Sequence, residues 1–268
     1  MISNRKIIDT HTHIFPERLA ERAVGNIGGY YNIPMNGDGM GSTLIEQRKE
    51  LPNIKFVICS ATLKPEAMKA GNEYLIEQAS LHDCFVPLSS FHPYMDIKEV
   101  EAELIRMKGL GTHGIKLHPD FQRFEIDDPK ILDHYRLCAE LELPVLFHIG
   151  DENSDASSPT RLYNVISKIP ELKAVAAHLG GYKTWDEGEK VLIDTTVTFD
   201  VSDALFCLGK ERFTELVRKY GSKRIMFGSD FPFYMPVGSF LEIDELEFTD
   251  EEKDDIFWNT AARVYSIK

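Results

Sequence analysis

The chain has 268 residues, 43% of them hydrophobic and 27% charged, an ordinary balance for a globular protein with a sizeable core. Its net charge of −13 argues against nucleic acid or an anionic membrane as the main partner. No run approaches the ~18 apolar residues of a membrane span, and the basic N-terminus leads only into Ile7-Ile8, too short for a secretory signal.

In chain order, short apolar and β-branched runs predict eight strands, over residues 6–9, 54–60, 85–91, 114–117, 144–148, 174–178, 196–201 and 224–228. Several are near-continuous hydrophobic runs, such as Val145-Leu146-Phe147, as parallel strands covered on both faces require. Amphipathic patterns over 66–80, 97–108, 129–141, 160–169 and 210–220 predict helices between them. Thr249-Asp250-Glu251-Glu252 reads as a capping box opening a C-terminal helix. This alternation predicts an α/β fold, a (β/α)8 TIM barrel forming a single domain across residues 1–268. A doubly wound open sheet is the competitor, but no Gly-x-Gly-x-x-Gly follows a strand. The stretch 15–53 carries Gly28-Gly29-Tyr30-Tyr31 and the glycine-rich 36–41, and reads as a long loop at the catalytic face, a candidate lid. Cys59, Cys84, Cys138 and Cys207 are far apart with no C-x-x-C pair, so reduced thiols and a cytoplasmic location are expected.

The first strand runs into His11-Thr12-His13. A strand has a period of two, so both imidazoles project from one face. They can share a divalent metal there or be two hydrogen-bonded histidines. Other strand ends favour the metal. The fourth ends Lys116-Leu117-His118-Pro119, the fifth His148-Ile149-Gly150, the sixth His178-Leu179-Gly180-Gly181, and the eighth Gly228-Ser229-Asp230-Phe231-Pro232. In a parallel barrel these ends converge on one mouth. His82, His113 and His134 lie in polar or helical contexts that solvation or local hydrogen bonding explains. His92 follows the third strand and is a lesser candidate for the mouth, and Trp185 and Trp258 read as packing.

Taken in order, Asp9-Thr10-His11-Thr12-His13, Gly114-Ile115-Lys116-Leu117-His118-Pro119, Pro144-Val145-Leu146-Phe147-His148 and Ala177-His178-Leu179-Gly180-Gly181 cover much of the chain. Phe199-Asp200-Val201-Ser202, Gly228-Ser229-Asp230-Phe231-Pro232 and Asn259-Thr260-Ala261-Ala262-Arg263 extend the set nearly to its end. The ordered set resembles the amidohydrolase superfamily, in the amidohydrolase-related branch that includes aminocarboxymuconate-semialdehyde decarboxylase-like proteins. The resemblance implies that His11, His13, His148 and Asp230 ligate one divalent transition metal, zinc first, with manganese or iron as alternatives. It implies catalytic roles for Asp230 and for His178, which would contact substrate or the nucleophilic water. Lys116 lies near the place of the carbamylated lysine of two-metal members, but the mononuclear branch does not rely on such a bridge. Lys116 and His118 share a strand face and are expected to position a substrate anion.

The chemistry follows from the residue types. Three neutral imidazoles and one carboxylate leave a divalent ion net positive, so it can lower the pKa of a bound water toward ~7. Asp230 can take the proton and return it to a leaving group, while His178 can hydrogen-bond the developing oxyanion. The expected activity is hydrolysis of an amide, ester or lactone carbonyl of a small molecule. Non-oxidative decarboxylation is the alternative, and a catalytically inactive metal-binding barrel is a third reading. The chain is shorter than typical decarboxylases of the branch, and Arg161 and Arg123, the obvious arginines near mouth loops, read as solvated. Both points favour the hydrolase. A homodimer is the base-rate expectation for such an enzyme, with no nucleic-acid or membrane partner.

Overall fold

A computed structural model describes residues 1–268. Its strands are β1 (Ile7–His13), β2 (Ile54–Cys59), β3 (Phe85–Pro87), β4 (Ile115–Leu117), β5 (Val145–Phe147), β6 (Ala174–Ala176), β7 (Thr198–Asp200) and β8 (Ile225–Met226). Every pairing is parallel, in the orders β1-β2-β3 and β4-β5-β6-β7-β8. Two seams join these sheets into a ring. Ser89 N donates to Gly114 O and Lys116 N to Ser89 O, at 2.9 and 2.8 Å, linking the end of β3 to β4. Thr10 N donates to Phe227 O and His13 N to Phe231 O, at 2.9 and 2.7 Å, linking β8 to β1. The result is the TIM barrel expected from the alternation.

The helices are α1 (Glu17–Tyr31), α2 (Gly41–Gln47), α3 (Met68–Leu81), α4 (Ile97–Leu110), α5 (Pro119–Gln122), α6 (Leu132–Glu140), α7 (Pro159–Lys168), α8 (Trp185–Leu192), α9 (Ala204–Tyr220), α10 (Pro236–Asp244), α11 (Asp250–Asp254) and α12 (Thr260–Val264). None is long and apolar enough to cross a membrane. Alternation along the strands sorts the core into two parts. Phe56, Ile58, Ile115, Leu117, Val145, Phe147 and Phe199 join the large cluster that packs the helices against the barrel wall. Ile8, Val57, Val86, Leu146, Val175 and Met226 face inward, where Ala261, Tyr265 and Ile267 join them. His113, just before β4, lies 2.7 Å from Tyr265 O through Nδ1, so the C-terminal segment closes the end opposite the mouth. The capping box is present, with Thr249 and Glu252 exchanging both bonds.

The stretch 15–53 departs from the sequence reading. It is not a loop but contains α1 and α2. Ala20, Ala23, Val24, Ile27, Gly28 and Tyr31 form its inward stripe at helical spacing, while Gly25, Gly28 and Gly29 weaken the helix signal in the sequence. The segment is also pinned. Tyr74 Oη donates to Phe15 O at 2.9 Å, and Gly37 N donates to Pro232 O at 2.8 Å. Gly37 lies so close to Phe231 that an added Cβ would sit 2.4 Å from its ring. The segment covers the mouth as packed helices rather than as a long loop. Other differences are smaller: β1 extends through His13, α8 and α10 are additional, and α9 starts at Ala204 with a break at Gly209.

Candidate metal centre

The seven site residues read from the sequence all meet at the C-terminal mouth. His11 and His13 leave the same face of β1, where the register against β2 shifts between Asp9 and Thr12. Asp9 Oδ1 ties that irregularity down, accepting from His11 N at 3.3 Å and Ser229 N at 2.9 Å. Beyond β8, Asp230 takes a left-handed backbone conformation (φ 54°), and His178, Leu179 and Asp203 do so beyond β6 and β7 (φ 58°, 53° and 62°). Each costs about 1 kcal/mol or more for a non-glycine residue.

Three donor atoms converge. His11 Nε2 and His13 Nε2 are 3.1 Å apart, and Asp230 Oδ1 lies 3.3 and 3.4 Å from them. Behind them, His11 Nδ1 meets Asp200 Oδ2 at 3.1 Å and Ser202 Oγ at 3.0 Å, while His13 Nδ1 meets Cys59 Sγ at 3.6 Å. Lys116, fully buried, brings Nζ to 2.9 Å from His11 Nε2. Burial and Lys116 pull the His11 imidazolium down to about 4. Burial also opposes charge on His13, but Cys59 and Asp230 outweigh it and push it up to about 9. For Asp230, burial favours the acid, yet His11, His13 and His178 hold the carboxyl well below its ordinary value.

A second group continues around the mouth. His178 Nε2 lies 2.8 Å from His148 Nδ1, and the His148 ring stacks on His118 at 4.0 Å and 8°. His148 Nε2 lies 3.0 Å from Gly150 O. His178 Nδ1 meets Ser202 Oγ at 3.0 Å and Asp203 Oδ2 at 3.3 Å. Against burial, these carboxylate neighbours raise the His178 imidazolium. The structure therefore brings His11, His13 and Asp230 into direct contact, but seats His148 on His178 and His118, with no hydrogen-bond contact to that trio.

The donor set fits a cation. With Nδ1–H of His11 directed at Asp200, its Nε2 keeps one lone pair, which Lys116 Nζ at 2.9 Å and His13 Nε2 at 3.1 Å both approach. Two buried imidazole nitrogens at 3.1 Å repel unless a proton or a metal lies between them. Nitrogen and carboxylate oxygen at such spacing suit a first-row divalent ion.

The family model of the amidohydrolases matches residues 8–267. The chain belongs to the amidohydrolase family. A search of curated proteins returns no match. Among solved structures, this amidohydrolase is similar to an uncharacterized TIM-barrel protein from Bordetella bronchiseptica, with TM-score 0.81 and 17% identity over 98% of this chain and 99% of that one. It is also similar to a dihydroxybenzoic acid decarboxylase from Polaromonas sp. with bound manganese (0.75, 14%, 99% and 98%). A third is a protein assigned as a 2-pyrone-4,6-dicarboxylic acid hydrolase from Pseudomonas putida (0.70, 17%, 98% and 98%). These likenesses establish a shared fold.

Several residues that touch this cluster went unassigned in the sequence. Asp200, Ser202 and Asp203 sit at the end of β7, where the strand-end rule that found the others also applies. Tyr31, at the end of α1, puts Oη 3.2 Å from Nε2 of both His118 and His148. Trp185, read as packing, also donates from Nε1 to His178 O at 2.8 Å. Arg161 differs from the solvated reading, being engaged by Glu125, Asp127 and Asp155, whereas Arg123 is exposed and His134 stacks on Phe91 and meets Met95 O at 3.1 Å. His92 contacts Tyr94 and joins none of the site histidines.

Proposed function

We propose that this amidohydrolase is a metal-dependent hydrolase of a small-molecule amide, ester or lactone, with one divalent ion held by His11, His13, His148 and Asp230. Zinc suits the ligand types best. The observation that carries the reading is the facing pair of His11 and His13 Nε2 atoms with Asp230 Oδ1 beside both. Bound there, such an ion supplies Lewis acidity that polarises a carbonyl and acidifies a water. Asp230, held ionised by its histidine neighbours, accepts the proton of the attacking water and delivers it to the leaving group. His178, oriented by Asp203 and by Trp185, holds Nε2 on His148 Nδ1 at 2.8 Å; with His148 turned to the ion, that nitrogen would be free to stabilise negative charge on the carbonyl oxygen.

Hydrolysis is favoured over decarboxylation by the charge at the mouth. Arg161 is already spent on three carboxylates, and Asp120, Asp151 and Asp203 line the approach near Tyr31 and His178. A substrate carboxylate would find Arg161 already engaged there, although burial raises the carboxyls of Asp120 and, to about 7, of Asp203 and so weakens their repulsion. Decarboxylation keeps one supporting observation: Lys116 Nζ, buried beside His11, is a cation that a carboxylate could reach. Zinc-loaded protein assayed against lactones, esters, amides and aromatic carboxylates separates the two. Hydrolysis with incorporation of solvent oxygen is expected, and CO2 release without it would overturn the reading.

A further inference from the structure

We propose that Cys59 is a further ligand of the ion at this centre, a sulfur donor that turns the site toward thiophilic metals such as zinc. The proposal deepens the hydrolase reading and rests on it for an ion at His11, His13 and Asp230. Cys59 is the last residue of β2 and pairs in register with His13 on β1. Side chains alternate along a strand, so Val57 and Cys59 both enter the barrel interior, while Ile58 turns to the helices. The thiol is thereby delivered beside the two imidazoles, one strand away.

Its distances suit a donor to the same ion. Cys59 Sγ lies 3.6 Å from His13 Nδ1. That sulfur and one ring nitrogen from each of His11 and His13 all fall within 4.8 Å of one another. Zinc sits ~2.3 Å from thiolate sulfur and ~2.0 Å from imidazole nitrogen, so donors around one ion stand about 3–4 Å apart, close to the spacing found here. Cys59 is fully buried, so the barrel wall fixes where the sulfur points. His148, by contrast, rests on His178 Nε2 at 2.8 Å and stacks on His118. Cys59 therefore stands readier than His148 to extend the trio of His11, His13 and Asp230.

Binding exchanges the thiol proton for the ion, and that proton leaves to solvent. Thiolate favours zinc and other soft or borderline ions, whereas carboxylate and water suit manganese. A site of imidazoles and carboxylate alone would discriminate less between the two.

Cobalt(II) is the probe, because a thiolate bound to it gives an intense near-ultraviolet charge-transfer band that nitrogen and oxygen donors do not. Cys84 and Cys138 lie in the outer packing cluster and Cys207 on α9, so Cys59→Ser isolates the sulfur in question. Wild type loaded with one equivalent of cobalt should show the band, and Cys59→Ser should bind cobalt without it. By chelator competition, the preference of that variant for zinc over manganese should fall about 10-fold or more, at least the loss that follows removal of an outer partner. Cobalt bound to wild type without the band overturns Cys59 as a ligand and leaves the histidine–aspartate centre standing. A band that survives in Cys59→Ser, or an unchanged preference for zinc, overturns it equally. Protein that takes up no cobalt overturns the metal centre itself, and the hydrolase reading with it.

Discussion

Asp200 Oδ2 lies 3.1 Å from His11 Nδ1, while Asp200 Oδ1 accepts from the backbone N–H of His178 at 3.2 Å. One fully buried carboxylate thus fixes a ring at β1 and the chain at the end of β6. Burial favours its acid form, but His11, His178 and Ser202 outweigh that and keep the carboxyl well below its usual range. Carboxylates behind a ligating imidazole set its tautomer and raise its basicity. Asp200→Asn is therefore expected to weaken metal binding about 10- to 100-fold, read by competition with a chelator. Affinity equal to wild type would remove Asp200 from the site.

The centre itself predicts composition. Purified or reconstituted protein should carry about one equivalent of divalent metal by elemental analysis, as one mononuclear site requires. Asp230→Asn should abolish turnover while leaving the circular dichroism spectrum and cooperative melting intact. Near-native turnover in that variant would refute the proton-transfer role, and wild-type protein that gains no metal on reconstitution would sink the site assignment.

Trp185 offers a test away from the ligands. Its Nε1–H satisfies His178 O, a buried carbonyl on a residue with left-handed φ. Trp185→Phe keeps most of the packing but strands that carbonyl, at a cost of about 1–3 kcal/mol. Urea denaturation should show a lower midpoint, and activity should fall because His178 loses its hold. Unchanged midpoint and activity together would show that the bond does neither.

A pH effect follows from Cys138, whose thiol burial pushes up to about 12. In the unfolded chain a cysteine ionises near ~8.5. Below that value both states keep the proton, and the stability tied to it is fully present. As pH rises further only the unfolded chain releases the proton, so stability is lost progressively toward pH 12. Between about pH 9 and pH 11 the melting temperature of wild type should fall more steeply than that of Cys138→Ala. Parallel curves would contradict the burial argument.

The barrel was legible because a two-sided parallel strand must be apolar throughout, which makes runs such as Val145-Leu146-Phe147 stand out. The site was legible where ionisable residues interrupt those runs at their ends, as at His148 and His178. α1 was hidden because its glycines dilute a stripe that is helical in spacing. Tyr31 was hidden for a second reason: its approach to His118 and His148 depends on which strand ends α1 crosses, and no local pattern encodes that. The seating of His148 on His178 and His118, apart from the His11–His13–Asp230 contact, likewise depends on ring orientations that residue spacing leaves open.

The left-handed backbone at His178, Asp203 and Asp230 has a consequence for ion capture. Chain segments that occupy a costly conformation before any ligand arrives have few alternatives to sample. An incoming ion would find His11, His13 and Asp230 already gathered and only His148 left to draw in, so less conformational entropy would be lost on binding. The work of gathering the site is done during folding, so its capacity to bind should melt together with the barrel rather than before it.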